Sequence, residues 1–196
     1  MDSEPVDETF PPTGGRLSGL FALAIGALLV VLGLVDGVSL VMVGFGLLFA
    51  ALAWTSLLRP RVSIESEHLV LRGMVDTTRV PLAAVEEVVV RQVLAVRAGD
   101  KRFTSPAIGR SRRQLTKEGL RGATDGDAGA TSEPVFGVFV QDRIRQRAKE
   151  ARDRAGIKNA SAEQDALAAQ VRREPAVPEI VALVGSLVFL VVAFAL

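Results

Sequence analysis

The sequence predicts an α+β membrane protein. It comprises a two-helix transmembrane hairpin, an antiparallel β domain closed by a helix, and one further transmembrane helix. Three observations lead there. Three long blocks carry almost no charge, although the chain holds 23 basic and 22 acidic residues. The region after the second block alternates apolar and polar residues at the period of a strand. That region ends in a stretch whose apolar residues recur at helical spacing. The mean hydropathy of +0.34 averages over this mosaic.

The elements follow in chain order. Residues 1–16 hold four acids, one arginine and several Pro and Gly, and are expected to be a disordered acidic tail. A secretory leader needs a basic start, so this composition argues against one. The first apolar block is Leu17 to Val35 and the second Val38 to Leu58. A helix rises about 1.5 Å per residue, so roughly 20 residues cross a hydrocarbon core of about 30 Å. Only Asp36 and Gly37 separate the two blocks, which makes them an antiparallel hairpin with both outer ends on one side. The third block, Ile180 to Leu196, is shorter; Ala176 to Glu179 can extend it toward the interface, and the expected span covers 179–196.

Basic flanks set the side. Arg59 and Arg61 follow the second span, Arg172 and Arg173 precede the third, and Arg16 precedes the first. All lie on one side of the hairpin, and Asp36 lies on the other. The expectation is a cell-membrane protein whose N-terminus and residues 59–178 are cytoplasmic and whose C-terminus is outside. No acid, base or histidine interrupts the spans, which argues against a proton or ion pathway. Small residues are frequent. Gly19, Gly26 and Gly33 recur every seven residues on one helix face. Gly46 and Ala50, and Ala182 and Ser186, have the small-xxx-small spacing that lets helices approach closely. These seven are the candidate helix-packing residues.

The region between spans two and three reads first as strands. "VSIES" places Val62 and Ile64 on one face, and "HLVLRG" places Leu69 and Leu71 on one face with Gly73 as a turn. "TTRVPLAAVEEVVVRQVLAVRAGDKRFTS" is rich in β-branched residues, with "AGD" as a hairpin turn. Residues 116–133, rich in Gly, Ala, Thr and Asp, read as a flexible insert. In "FVQDRIRQRAKEARDRAG", Val140, Ile144, Ala148, Ala151 and Ala155 form an apolar stripe, with Gly156 as C-cap. The opposite face carries Arg143, Arg147, Lys149, Glu150, Arg152 and Arg154, with Glu150/Arg154 at helix-pair spacing. Residues 157–178 read as a linker with a short helix, opened by the S-x-x-Q capping box of Ser161 and Gln164.

Strands followed by one amphipathic helix, directly after a membrane hairpin, resemble actinobacterial integral membrane proteins with a bacterial pleckstrin-homology (PH) domain. "RVSIESEHLVLRG", "TTRVPLAAVEEVVV", "SPAIGRSRRQL" and "FVQDRIRQRAKEARDRAG" carry the resemblance. It implies a PH-like domain over 62–156 that acts by interaction and not by catalysis. Leu82 stands where the family pattern has an aromatic. The loop expected to bind phosphoinositide is Glu65 to His68, the wrong charge for phosphate.

Little chemistry can be assembled. Cysteine is absent, His68 is the one histidine, and Glu86 and Glu87 point to opposite faces of a strand. No catalytic residue, metal or cofactor is expected. "GRSRRQLTK" lacks the aromatic partners of a nucleic-acid surface. Its Arg110, Arg112, Arg113 and Lys117, with Arg59 and Arg61, are the candidate contacts to lipid headgroups or a partner. The expected partners are membrane lipids and another membrane protein or complex, with self-association left open and nucleic acid excluded. The reading is a non-enzymatic adaptor or accessory subunit of a membrane complex. An inner-leaflet sensor of anionic lipid is the alternative, and a component of an enzyme or transporter is a third.

Overall fold

The computed structural model describes residues 7–12, 16–35, 39–108 and 136–195. The Asp36-Gly37 turn, the basic run from Arg110 to Lys117 and the insert 116–133 lie outside the described residues. The protein is α+β; among the described residues there are eight antiparallel-type strands in two sheets and three helices long and apolar enough to cross a membrane. Two compact units are distinguished. One comprises Met1–Thr13, Arg61–Leu71 and Thr78–Arg172; the other comprises Gly14–Pro60, Arg72–Thr77 and Arg173–Leu196.

The helical unit contains α1 (Arg16–Val35), α2 (Leu40–Ala53) and a C-terminal helix (Val177–Ala195), here α5. Ser39 caps α2 by accepting a hydrogen bond from the Met42 amide at 3.4 Å. After Ala53 the helix widens into a π-helical turn, Trp54–Leu58. The cause is local. Thr55 donates its hydroxyl to Ala51 O at 2.9 Å, and Ser56 donates to Leu52 O, so both hydroxyls compete for carbonyls of the preceding turn. The Arg59 amide closes the widened turn on Trp54 O at 3.0 Å, and Pro60 ends it because it has no N–H to donate. With this turn the second span reaches 19 residues, about 28 Å of helix.

The sheet unit is built from β1 (Glu8–Phe10), β2 (Arg61–Glu65), β3 (His68–Arg72), β4 (Asp76–Pro81), β5 (Glu87–Val90), β6 (Leu94–Ala98) and β7 (Lys101–Ser105). Helix α3 (Phe136–Ala155) and the short α4 (Ala162–Ala168) complete it; β8 (Arg172–Pro175) leads to α5. One sheet has the order β1-β2-β3-β4-β8 and the other β5-β6-β7. Alternation fixes the buried face of the second sheet. Val88, Val90, Leu94, Val96 and Ala98 point inward and join Val62, Ile64, Leu69, Leu71, Val80, Leu82 and Ile108 in one core. Helix α3 seals it with Val140, Ile144, Ala148 and Ala151. Full burial of each larger aliphatic side chain contributes about 1.5–3 kcal/mol, which is why this stripe holds the helix in place.

Polar fasteners reinforce the seal. Strand β5 is an edge, and its outward backbone groups would be unpaired. Gln141 Oε1 accepts from the Val90 amide at 2.9 Å, and Arg145 donates to Val88 O at 2.8 Å. Arg152 donates to Val85 O at 2.6 Å. Side chains of α3 therefore complete the edge that no strand covers. Gln164, fully buried, does the same for α4: its Nε2 donates to Ala83 O at 3.2 Å and its Oε1 accepts from the Ala160 amide at 2.7 Å. Its own amide donates to Ser161 Oγ at 3.3 Å, which caps α4.

Three expectations are corrected. The tail 1–16 is not wholly disordered, because Glu8–Phe10 form a strand paired with β2 in the register Glu8↔Ile64, Thr9↔Ser63 and Phe10↔Val62. Phe10 is buried in the core, and the Ser66 amide, in a turn at φ 52°, donates to Asp7 Oδ1 at 2.9 Å. Composition alone misses the fact that this acidic segment is the counter-charge for arginines far along the chain. The linker 157–178 contains a strand, β8, besides its helix. The Glu150/Arg154 pair is not formed: Arg154 reaches Glu67 at 3.3 Å, and Glu150 accepts from Gln146 at 2.9 Å.

Candidate functional site

In the helical unit, the buried residues of α1 are Gly19, Gly26 and Gly33. They form one seam against α2. A Cβ on Gly26 would lie 2.9 Å from Ala50 Cβ and 3.0 Å from Gly46 O; one on Gly46 would lie 2.8 Å from Gly26 O. Backbone meets backbone there, and only glycine permits it. Ala50 thus faces Gly26. Ser186 is buried and donates to Leu183 O at 3.0 Å, whereas Ala182 is exposed. Gly44, which the sequence reading passed over, is the contact point of α2 with α5. A Cβ there would lie 2.9 Å from Leu190 Cδ1. Phe45 and Phe194 meet edge to face at 6.0 Å alongside it.

The basic residues separate into three groups. Arg61 is exposed. Arg110, Arg112, Arg113 and Lys117 lie outside the described residues. Arg59 has a side chain that is only 12% exposed and is bonded within the helical unit. Its Nε donates to Glu179 Oε1 at 2.6 Å, and its Nη1 donates to Gly73 O and to Asp76 O, the latter at 3.1 Å. One guanidinium thus joins the end of α2, the tip of the β3–β4 hairpin and the first turn of α5. The planar fork of arginine, with five N–H donors, suits a three-way joint that a lysine ammonium could not match. The Ala176 amide donates to Val75 O at 2.8 Å, and Arg173 pairs with Asp76 at 2.7 Å, which closes the joint from the α5 side. Sequence reading missed Glu179 as the partner of Arg59 because 120 residues separate them.

In the sheet unit, Glu8 is the charge centre. It accepts from Arg143 Nε at 2.8 Å and Nη2 at 2.6 Å, and from Arg147 Nη2 at 2.8 Å. The Arg143 hydrogen bonds hold the Glu8 carboxyl below its ordinary pKa, against a partial burial that acts the other way, and Arg147 adds to the lowering. The same hydrogen bond raises Arg143. This trio ties β1 to α3.

Two surface features remain. The outward face of β5-β6-β7 carries Arg91, Arg97 and Arg102 around a depression of about 340 Å³, with Glu87, Val89 and Ala95. Arg97 and Arg102 are directly opposite in the antiparallel register, and Arg97 is paired with Glu86 at 2.8 Å. Like charges directly opposite are unfavourable, and the Glu86 carboxylate beside Arg97 offsets part of that repulsion. His68 lies at a second groove of about 420 Å³ with the Glu67–Arg154 pair, Ile157 and Leu167. Among the described residues, no three His, Asp or Glu side chains converge as a metal site. No family model, curated protein or solved structure matches the chain.

Proposed function

We propose that the chain is a non-enzymatic, membrane-anchored PH-like module that serves as an adaptor or accessory subunit of a membrane protein complex. Its N-terminus and residues 59–178 would face the cytoplasm, in keeping with the basic flanks. Two antiparallel sheets and a closing amphipathic helix support the PH-like reading. The observation that carries the adaptor reading is how the ionic side chains are used. Arg59, Glu179, Glu8, Arg143, Arg145, Arg147 and Arg152 all fasten one element to another. The chain's strong charge pairs therefore build a scaffold, and a scaffold displays a surface.

The arginine face of β5-β6-β7 favours a second reading, an anionic-lipid sensor, since each basic group near such a surface contributes about 1 kcal/mol. A photo-crosslinking residue in place of Arg102 in the full chain, activated in intact membranes, separates the two. The adaptor reading expects one discrete protein adduct, identified by mass spectrometry. Adducts to lipid alone support the sensor, and the absence of any adduct at Arg91, Arg97 and Arg102 alike removes both uses of this face.

A further inference from the structure

We propose that the tip of the β3–β4 hairpin, Met74 and Val75, is embedded in the headgroup boundary of the bilayer, at the leaflet where α2 ends and α5 begins. Hairpin tips are usually built from Gly, Asn, Asp, Ser or Pro. Here the residues between Gly73 and Asp76 are a methionine and a valine, 42% and 40% exposed. Elsewhere the same sheet keeps its aliphatic side chains inside: Val62, Leu69, Leu71 and Val80 are all buried. The exposed pair is therefore a local exception at one turn.

The position of the tip says what covers it. Val75 O accepts from the amide of Ala176, the residue immediately before α5. The carbonyls of Gly73 and Asp76 accept from Arg59, the residue immediately after the second span. The turn is thus bonded to the ends of two spans, through the Gly73 and Asp76 carbonyls on one side and the Val75 carbonyl on the other. An element fixed at the ends of two membrane helices is at the level where water gives way to headgroups. Near the same ends of those helices, Trp54 and Val181 are also exposed apolar side chains. The occupant that fits is the lipid of the bilayer the spans cross, not a second protein.

The inference rests on α1, α2 and α5 spanning the bilayer, and the test keeps the two apart. The chain has no cysteine, so one introduced cysteine takes one label. The full chain with M74C, V75C or V184C is labelled with an environment-sensitive nitrobenzoxadiazole dye and placed in phosphatidylethanolamine–phosphatidylglycerol vesicles. The dye on a small soluble thiol is the aqueous reference, and far-UV circular dichroism confirms that each variant keeps its fold. At 74 and 75 we expect blue-shifted emission, severalfold protection from aqueous iodide, and quenching by lipids bearing a nitroxide near the headgroup. Water-like emission at 74 and 75 with lipid-like emission at 184 overturns the hairpin inference and leaves the spans standing. Blue-shifted emission without lipid quenching means that protein covers the tip, which also overturns it. Water-like emission at 184 removes the spanning reading, and the inference with it.

Discussion

Replacing Arg59 with alanine should loosen the helical unit more than any other single charge removal there. The guanidinium is 12% exposed and its partner Glu179 is 18% exposed, so the pair is shielded from water. Removing one member of a buried pair costs about 3–5 kcal/mol, because the other charge is left without compensation. This pair is partly open, so the lower end applies. A loss of about 3 kcal/mol corresponds to a fall in Tm of roughly 6–12 °C for a protein of this size. Glu179→Ala should cost less, since Arg59 keeps the carbonyls of Gly73 and Asp76 as acceptors. The double variant should cost less than the sum of the two, with a coupling of about 1–3 kcal/mol between contacting residues. Thermal unfolding in detergent micelles, followed by circular dichroism, reads all three. The neighbouring Arg61 is exposed, and Arg61→Ala should stay within about 0.5 kcal/mol of the parent. If Arg59→Ala and Arg61→Ala unfold at the same temperature, the three-way joint does not hold the unit together.

Two other predictions concern the helix seam and the Glu8 trio. Gly46→Ala places a Cβ 2.8 Å from Gly26 O and from Val30 Cγ2, and should destabilise by about 1–3 kcal/mol through overpacking. Gly185→Ala meets nothing within 4 Å and should be neutral or stabilising by up to about 1 kcal/mol; denaturation by dodecyl sulfate compares the two. Glu8 has a lowered pKa in the fold, chiefly from its hydrogen bonds to Arg143, so its contribution is complete above the ordinary carboxylate value of about 4.3 and is lost as pH falls through the lower folded value. The stability difference between the parent and Glu8→Gln should therefore shrink on acidification below about pH 4.3, and a difference that stays constant to pH 3 would contradict the assignment.

The parts legible in the sequence are those governed by a local period. Uncharged blocks gave the three membrane-length helices, and alternation from Val62 to Ser105 gave antiparallel strands. The seven-residue spacing of Gly19, Gly26 and Gly33 was visible as a stripe, but its opposing surface was not. Gly44 has no repeating partner in sequence, and its role depends on Leu190 arriving from the far end of the chain. Long-range charge pairing was the main thing hidden. Glu8 looked like one acid in an acidic tail, because Arg143 and Arg147 lie about 135 residues away. Likewise Arg59 looked like a flanking cation until Glu179 and the hairpin carbonyls closed around it. Edge strands posed the same difficulty: nothing local to Val88 or Val90 announces that helix α3 will complete its hydrogen bonds.

The pairing of β1 with β2 has a consequence for biosynthesis. Glu8–Phe10 precede both apolar blocks in the chain, whereas Val62, Ser63 and Ile64, which receive them, follow only after both blocks have been made. The first strand therefore has no partner until both apolar helices have been made. The loop closed by this pairing contains the whole hairpin, so the sheet cannot be completed correctly if that hairpin fails to turn back. Until then β2 has an open edge, the kind of surface on which nascent chains associate wrongly. Completion of the sheet thus depends on the hairpin having formed. A fragment that starts at Arg61 would lack the strand that covers the edge of β2.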